Sequence, residues 1–163
     1  MIYSTTMTQT THFQMDSPNL KHKVIAENTL AFAFLTYIPI VPGHVLISPK
    51  RVVVFSDDLT AEELHAIMDL KSCVCKVLKC AFGASGFNFA WNEGKDAGQT
   101  VPHFHLHVVP RKEGDEGITE YEPRKFLYRP GARAATPEKE LADIAAMLRK
   151  EFSKQSTNLQ TIL

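Results

Sequence analysis

The feature that most constrains this chain is a run in which histidine alternates with apolar residues, since residues 101–109 read VPHFHLHVV. Successive side chains of a β-strand point to opposite faces, so this alternation predicts a strand over residues 103–109. One face of that strand would be apolar and would pack into the core against a helix. The other face would project a row of three imidazoles, His103, His105 and His107.

Three imidazoles on one face make a poor packing surface, because each ring has two nitrogens that need hydrogen-bond partners. One interpretation is a solvent-facing polar strand that happens to contain histidine. Another is a metal site, since two histidines at positions i and i+2 of a strand can bind one Zn²⁺. A third histidine in line usually lies too far from the same ion, and no Cys or Asp cluster lies close in the sequence.

Nucleophilic catalysis at phosphorus is the alternative that uses all three rings. Neutral imidazole is a good nucleophile at physiological pH, because its ordinary pKa is about 6.5. A covalent phosphoramidate would split one difficult displacement into two easier steps. The central residue, His105, has a histidine on each side to support it. The preceding turn, residues 98–100, offers backbone N–H groups, a Gln amide and a hydroxyl to a phosphate.

The remaining patterns predict the elements around this strand. Glu27-Asn28 lies between two β-prone runs and indicates a hairpin, and a further strand is expected over residues 44–48. Thr60 and Glu63 form a capping box that begins a long amphipathic helix, predicted over residues 60–81 and ended by Gly83. Residues 85–92 alternate like a strand, whose aromatic residues we expect in the core or in dimer packing.

A second helix is predicted to begin at Thr136-Pro137-Glu138, and residues 111–133 are predicted to be irregular. Short links between the strands favour antiparallel pairing. The fold class is therefore α+β, a mainly antiparallel sheet with helices on one side. We expect one domain over residues 18–152, a disordered segment over 1–17 and a frayed tail over 153–163.

Composition limits the class of protein. The chain has 163 residues, with 18 Lys and Arg against 18 Asp and Glu, and this balance argues against a non-specific nucleic-acid binder. No apolar run reaches the roughly 18 residues that span a bilayer, so no membrane is expected as a partner. Residues 1–15 lack the basic start and apolar stretch of a secretory signal. Three cysteines suit a reducing compartment, and we expect the cytoplasm.

Several segments together resemble the histidine triad family. Residues 101–109 resemble the signature His-φ-His-φ-His-φ-φ, where φ is apolar, and residues 40–46 (IVPGHVL) resemble the Pro-Gly-His segment. Residues 97–101 (AGQTV) and 109–115 (VPRKEGD) look most like the fragile histidine triad branch, the dinucleoside polyphosphate hydrolases. The resemblance extends from about residue 24 to residue 115.

The resemblance implies a fold and an activity. Family members form homodimers with five antiparallel strands per subunit, here with a long helix and a C-terminal helix. They bind a nucleotide, attack its α-phosphate with the middle histidine, and release a nucleoside monophosphate when water hydrolyses the nucleotidyl-histidine. The chemistry of the histidines requires no cofactor, although the substrate can arrive as a magnesium complex.

The resemblance also implies roles for individual residues. His105 would be the nucleophile, His107 would donate to the α-phosphate or the bridging oxygen, and His103 would orient the site. Gln99 would contact the phosphate, and His44 would support the triad from behind. Contacts with the substrate are implied for Asn92, Gly98, Thr100 and Val101.

One position departs from the family pattern. Thr36 stands where members commonly have Asp or Asn to bind the ribose hydroxyls, and a single hydroxyl cannot make a bidentate contact. The third histidine favours hydrolysis, because the nucleotidylyl-transferase branch has Gln there. Three alternatives stay open: a nucleoside phosphoramidase, a slow-turnover nucleotide-binding signalling module, and a zinc-dependent enzyme.

Overall fold

The computed structural model of the protein describes residues 12–115 and 136–160, with side chains up to residue 154. Five strands and two long helices follow one another along the chain. In order they are β1 (Val24–Glu27), β2 (Ala31–Leu35), β3 (Val45–Pro49), α1 (Ala61–Phe82), β4 (Gly86–Ala90), β5 (Leu106–Arg111) and α2 (Glu138–Gln160). The irregular region predicted over residues 111–133 lies outside the described residues from position 116 onward.

The five strands form one sheet in the order β1-β2-β3-β5-β4, and every pairing is antiparallel. The histidine strand β5 is therefore inserted between β3 and β4. Its His107 lies opposite Leu46 of β3 and Ala90 of β4. This register places His107 on the same face as Leu46, because directly opposed residues of paired strands share a face.

The predicted hairpin at Glu27-Asn28 is confirmed, and Asn28 closes it. The Asn28 side-chain oxygen accepts from the backbone N–H groups of Leu30 and Ala31, at 3.1 and 2.8 Å. The Asn28 amide nitrogen donates to the carbonyl of Ala66 at 2.8 Å. One side chain thus makes an Asx turn and also ties the hairpin to α1.

Helix α1 begins and ends where the sequence predicts, to within a residue. Thr60 is its N-cap, and the reciprocal bonds of the capping box with Glu63 are both present. Gly83 ends the helix in the left-handed conformation, with φ of 66°. The buried face of the helix packs on the sheet through Ile67, Leu70, Val74, Val77 and Leu78.

The two faces of the sheet are covered differently. Helices α1 and α2 pack on one face and form the main core with buried side chains of β1, β2, β3 and β5, and the partly buried Phe87 of β4 packs against it. That core includes Phe104, Leu106 and Val108, which confirms the predicted apolar face. On the opposite face Phe32, Phe34 and Leu46 pack with Leu20 in a second cluster, which also contacts Phe13, Met15 and Val24.

The predicted histidine strand starts too early. Strand β5 begins at Leu106, because the backbone N–H groups of His103 and Phe104 donate to Val101 and Val53 rather than to a neighbouring strand. Strand β5 also continues through Pro110, which the sequence predicts as its end and which pairs with Phe87. The alternation of faces persists even though only part of the run is in the sheet.

Both predicted termini of the domain also differ from the structure. Residues 12–17, assigned by sequence to a disordered segment, form turns against the sheet, and the Ser17 N–H donates to the Gln14 carbonyl at 3.0 Å. Helix α2 continues to Gln160, where the sequence predicts a tail from residue 153. The apolar spacing used for that helix ends at Phe152, but a helix can continue as a polar, solvated turn beyond its packed face.

Candidate active site

The three histidines of the run differ in exposure and in what their rings contact. His103 is fully buried, His105 is 8% exposed, and His107 is partly buried. The rings of His105 and His107 meet edge to face, with centroids 5.1 Å apart. The His103 ring instead faces backbone carbonyls at the end of β3. The structure therefore pairs the second and third imidazoles and sets the first behind them.

The hydrogen bonds of His105 determine which ring nitrogen carries its proton. Its Nδ1 lies 2.8 Å from the carbonyl oxygen of His103, and a carbonyl can only accept, so Nδ1 carries the proton. In a neutral ring Nε2 then has the lone pair. Among the described residues no hydrogen-bond partner meets that Nε2. This is the tautomer that a nucleophilic imidazole needs.

His103 has the opposite tautomer. Its Nδ1 accepts from the backbone N–H of Phe13 at 3.2 Å, so its Nε2 carries the proton. That Nε2–H is shared between the carbonyls of Pro49 and Arg51, at 2.9 and 3.1 Å. Both nitrogens are thus satisfied, and the ring is held rigidly below the carbonyl that accepts from His105.

His107 is oriented by a relay through His44. The backbone N–H of Ile40 donates to His44 Nδ1 at 3.1 Å, so the His44 proton is on Nε2. His44 Nε2 lies 2.9 Å from His107 Nδ1 and donates to it, because Nδ1 then has to accept. The proton of neutral His107 is therefore on its Nε2. The three rings thus present a lone pair on His105 and an N–H on His107.

Burial shifts the acid–base behaviour of two of these rings. Desolvation lowers the pKa of His105 below its ordinary value, and the hydrogen bond to the His103 carbonyl opposes this only in part. Desolvation likewise lowers the pKa of His103, against the bonds to Arg51 and Pro49. The nucleophile candidate is therefore held in its neutral form, since a buried imidazolium would lose its hydration.

The loop before the triad is built on glycines and on one amide. Gly98 has φ of 87°, a left-handed conformation that ends a short 3-10 turn over residues 95–97. The Gln99 side-chain oxygen accepts from the Gly94 N–H at 2.9 Å, and its NH₂ donates to the Val54 carbonyl at 3.0 Å. Each end of the Gln99 amide makes one hydrogen bond, and its NH₂ group has a second N–H for the predicted phosphate contact.

Other predicted contact residues line the same loop. Thr100 is exposed and Val101 partly buried, and neither backbone N–H has an acceptor among residues 12–115 and 136–160. These two N–H groups are therefore available donors for an anion. Asn92 is partly buried just after β4, and within the described chain its amide has no partner. Contacts of these residues with a substrate stay predictions.

Thr36 lies just after β2, where its backbone N–H donates to the His44 carbonyl at 3.2 Å. It lines a cavity of about 140 Å³ together with His44, Ile40 and Leu141. The structure thus brings Thr36 beside the His44 relay. Its role toward a ribose stays a prediction.

Sequence reasoning missed three contributors to the site. Phe13 contacts both His103 and His105, with ring centroids 5.7 and 5.3 Å away. The Ser48 hydroxyl donates to the Phe104 carbonyl at 2.6 Å, and the Arg51 carbonyl accepts from His103 Nε2. No local motif marks these residues, because each acts across a long sequence separation through a buried polar bond or a ring contact.

Metal binding was one interpretation of the imidazole run. In the described part of the chain no group of three or more His, Cys, Asp or Glu side chains is arranged to hold a metal ion. Most ring nitrogens of the run are not available to a metal ion, because hydrogen bonds already use both nitrogens of His103 and the Nδ1 atoms of His105 and His107.

The fold and this arrangement of imidazoles define a histidine triad protein. The family model that describes the HIT domain matches residues 17–114, which is more than half of the chain. The chain therefore belongs to the HIT domain family, as its sequence motifs indicate.

Its relatives lie in the fragile histidine triad branch. It is 43% identical to a bis(5'-adenosyl)-triphosphatase of Dictyostelium discoideum over 53% of this chain and 58% of that protein. It is also 43% identical to an asymmetrical bis(5'-nucleosyl)-tetraphosphatase of Schizosaccharomyces pombe, over 57% of this chain and 51% of the relative. The chain spans between half and three-fifths of the length of these two relatives.

Solved structures share the architecture. A diadenosine triphosphate hydrolase of Plasmodium falciparum, in complex with cyclomarin A, matches with a TM-score of 0.68 and 25% identity, over 82% of this chain and 78% of that one. A zinc-bound histidine triad family protein of Mycobacterium smegmatis matches with a TM-score of 0.68 and 27% identity, over 88% and 90% of the two chains. The α+β fold with five antiparallel strands is confirmed.

Proposed function

We propose that this protein hydrolyses dinucleoside polyphosphates, such as diadenosine triphosphate, by attack on the α-phosphate. The observation that supports this most directly is the tautomer of His105, whose Nδ1–H donates to a fixed carbonyl and whose Nε2 has the lone pair. The names of the relatives support the substrate class, since they are triphosphatases and tetraphosphatases with two nucleosides.

The first step joins His105 to the nucleotide. The Nε2 lone pair attacks the α-phosphorus, and the bond from that phosphorus to the bridging oxygen breaks. The Nε2–H of His107 donates a hydrogen bond to the leaving oxygen and stabilises its negative charge, and this oxygen departs as a terminal phosphate oxygen of the released nucleotide. The relay from Ile40 through His44 supports this role, because it keeps the His107 proton on the nitrogen opposite the relay.

The second step releases the nucleoside monophosphate. Water attacks the phosphorus of the nucleotidyl-histidine, and its surplus proton passes from the phosphate to solvent. The P–N bond breaks, and its electron pair returns to Nε2 of His105, so this ring regains its starting state. The backbone N–H groups of Thr100 and Val101, with Asn92 and Gln99, are the donors we assign to the phosphate oxygens. No cofactor takes part in either step, although the substrate can bind as its magnesium complex.

The substitution His105→Asn tests the nucleophile. Asn cannot form the phosphoramidate, so we expect turnover of diadenosine triphosphate to fall by at least about 10³-fold while nucleotide binding is retained. Hydrolysis is measured by separating the products, and binding by calorimetry with a non-hydrolysable analogue. A variant that turns over near the wild-type rate would disprove the assignment.

A labelling experiment tests the intermediate itself. Substrate labelled in the α-phosphate, quenched in base during turnover, is expected to leave acid-labile label on the peptide that contains residues 103–107. Label on another peptide would contradict the mechanism. Activity that disappears on chelation, with no label on the protein, would favour the zinc-dependent alternative, and faster turnover of an adenosine phosphoramidate would favour the phosphoramidase.

We also propose a homodimer and a cytoplasmic location. Support for the dimer comes from the edge strand β4, around which large apolar side chains lie exposed. This set comprises Phe89 and Trp91. Exposed apolar surface beside an open sheet edge is typical of an interface. The three cysteines, Cys73, Cys75 and Cys80, form no disulfide in the described part of the chain, and this supports a reducing compartment. No helix in the described ranges is long and apolar enough to cross a membrane.

A further inference from the structure

The N-terminal segment before β1 contacts the triad through Phe13, which lies outside the matched family region. The family model matches residues 17–114, whereas Phe13 precedes that range. Phe13 packs its ring on Phe34 of β2, with centroids 4.9 Å apart, and its backbone N–H points at His103 Nδ1. Leu20, buried on the same sheet face, anchors the segment.

The contact from Phe13 is the only one that meets Nδ1 of His103 within the described residues. Its donor is a backbone N–H, which cannot accept, so it requires an unprotonated Nδ1. Because His103 is fully buried, the remaining proton is confined to Nε2, where the Pro49 and Arg51 carbonyls accept it. Three backbone groups thus hold one ring.

The position of that ring matters to the nucleophile, because His103 also supplies the acceptor for His105 through its carbonyl. If Nδ1 of His103 lost its donor, its lone pair would be buried without a partner, and moving the single ring proton to Nδ1 would take the donor away from the Pro49 and Arg51 carbonyls. The backbone of His103 would have to shift to satisfy the group left unpaired. The Nδ1–H of His105 would lose its fixed acceptor. The His105 proton would then no longer be held on Nδ1, and Nε2 would no longer always carry the lone pair.

We propose that the backbone N–H of Phe13 is a positioning group for the hydrolytic reaction, which together with the Pro49 and Arg51 carbonyls holds the tautomer of His103 and through it the orientation of the nucleophile His105. This inference rests on the proposed function. It assigns a role to the N–H rather than to the aromatic ring, which packs on Phe34 and lies edge-on to His105.

A pair of variants in the full-length chain separates the N–H from the ring. Phe13→Pro removes both, whereas Phe13→Ala removes the ring and keeps the N–H. We expect Phe13→Pro to lower kcat for diadenosine triphosphate about tenfold, the effect of one lost hydrogen bond, with KM within about twofold of wild type. Phe13→Ala is expected to keep kcat within about threefold. Gln14→Pro, whose own N–H is not part of the contact, controls for the stiffness of proline and should behave as wild type.

A measurement that does not need activity checks the tautomer. Two-bond ¹H–¹⁵N correlation spectra distinguish the Nδ1–H and Nε2–H forms of a neutral imidazole, and His103 is assigned by comparison with His103→Gln. We expect the Nε2–H form in wild type and in Phe13→Ala, and loss of that single form in Phe13→Pro. An Nδ1–H form of His103 in the wild type would overturn the inference.

The kinetic outcomes separate this inference from the proposed function. If wild type hydrolyses diadenosine triphosphate and Phe13→Pro matches it, the inference is wrong and the function stands. Equal losses of kcat in the Pro and Ala variants would also overturn it, because the ring would then be responsible. If wild type does not turn over, the proposed function fails and the catalytic part of the inference fails with it.

Discussion

At the scale of single residues, the site depends on where protons lie on four imidazoles. The acceptors and donors that decide this are backbone groups: the carbonyls of His103, Pro49 and Arg51 and the N–H groups of Phe13 and Ile40. Backbone groups do not titrate, so the tautomers are insensitive to pH as long as the rings stay neutral. Neutrality itself depends on burial, which lowers the pKa values of His103 and His105.

The pH dependence of kcat/KM follows from that lowered pKa. The nucleophile must be unprotonated, and the His105 pKa lies below its ordinary value, so the acid limb should fall below about pH 6.5. We expect kcat/KM to stay level between pH 8 and about 6.5 and to decline only in more acidic buffer. An acid limb centred at or above pH 6.5 would contradict this assignment.

Folding stability supplies the matching control for the pH profile. Below about pH 6.5 the unfolded chain binds protons at positions 103 and 105 that the folded chain still excludes, so stability decreases as the pH falls. Urea unfolding followed by circular dichroism at each pH identifies the range in which the enzyme is still folded. Only rates measured within that range report on His105.

At the scale of elements, the site is held by the links between strands rather than by the strands. In the segment after β3 the Arg51 carbonyl accepts a hydrogen bond from His103 Nε2. The Arg51 side chain makes two hydrogen bonds to Glu63, and Glu63 also completes the capping box of α1. The Arg51 guanidinium is the main cause that lowers the pKa of Glu63. The beginning of α1 is thus connected through one ion pair to the carbonyls behind the triad.

The turn that precedes β3 requires a glycine at position 43. Its φ is 84°, and a Cβ there would lie 2.9 Å from the Phe82 ring and 3.3 Å from Leu78. We expect Gly43→Ala to lower the free energy of unfolding by about 2–3 kcal/mol, from a strained backbone and a close contact together. Chemical denaturation gives this value.

Gly83→Ala is the control for Gly43→Ala, because Gly83 also has a positive φ, of 66°, but nothing lies within 4 Å of its Cβ position. The strain alone should cost about 1–2 kcal/mol there. Because His44 follows Gly43 directly, we also expect kcat to fall in Gly43→Ala and to stay unchanged in Gly83→Ala. Equal effects of the two substitutions on stability and kcat would rule out the contact with Phe82 as the cause.

At the scale of the whole molecule, one edge strand of the sheet is covered by a helix and the other carries exposed apolar side chains. On β1 the Arg149 guanidinium donates to the Val24 carbonyl at 2.5 Å, and α2 packs alongside. The edge at β4 instead carries Phe89 and Trp91, which are 44% and 47% exposed. An open edge with apolar side chains is prone to pair with another chain, which is why we propose that edge as the interface of the proposed dimer.

Phe89→Lys is expected to convert the dimer to a monomer, because a lysine would lose its hydration in an apolar interface. Met147→Lys serves as the control, since Met147 is 43% exposed but lies on α2, across the molecule from β4. Light scattering coupled to size exclusion measures the mass of each. A wild-type monomer, or a Phe89→Lys dimer, would refute the proposed interface.

The sequence by itself determined the elements and the family, because periodicity and capping are local properties. The alternation over residues 103–109, the Thr60–Glu63 box and the Asn28 hairpin are all visible within a few residues and are found in the structure. Only the tertiary structure decided that His103 leaves the sheet, that Phe13 reaches it and which nitrogen of His107 the supporting His44 contacts. The contacts of Phe13 with His103 and of His44 with His107 join residues 90 and 63 positions apart, and the Phe13 donor is a backbone N–H that every residue but proline has, so no local pattern predicts these contacts.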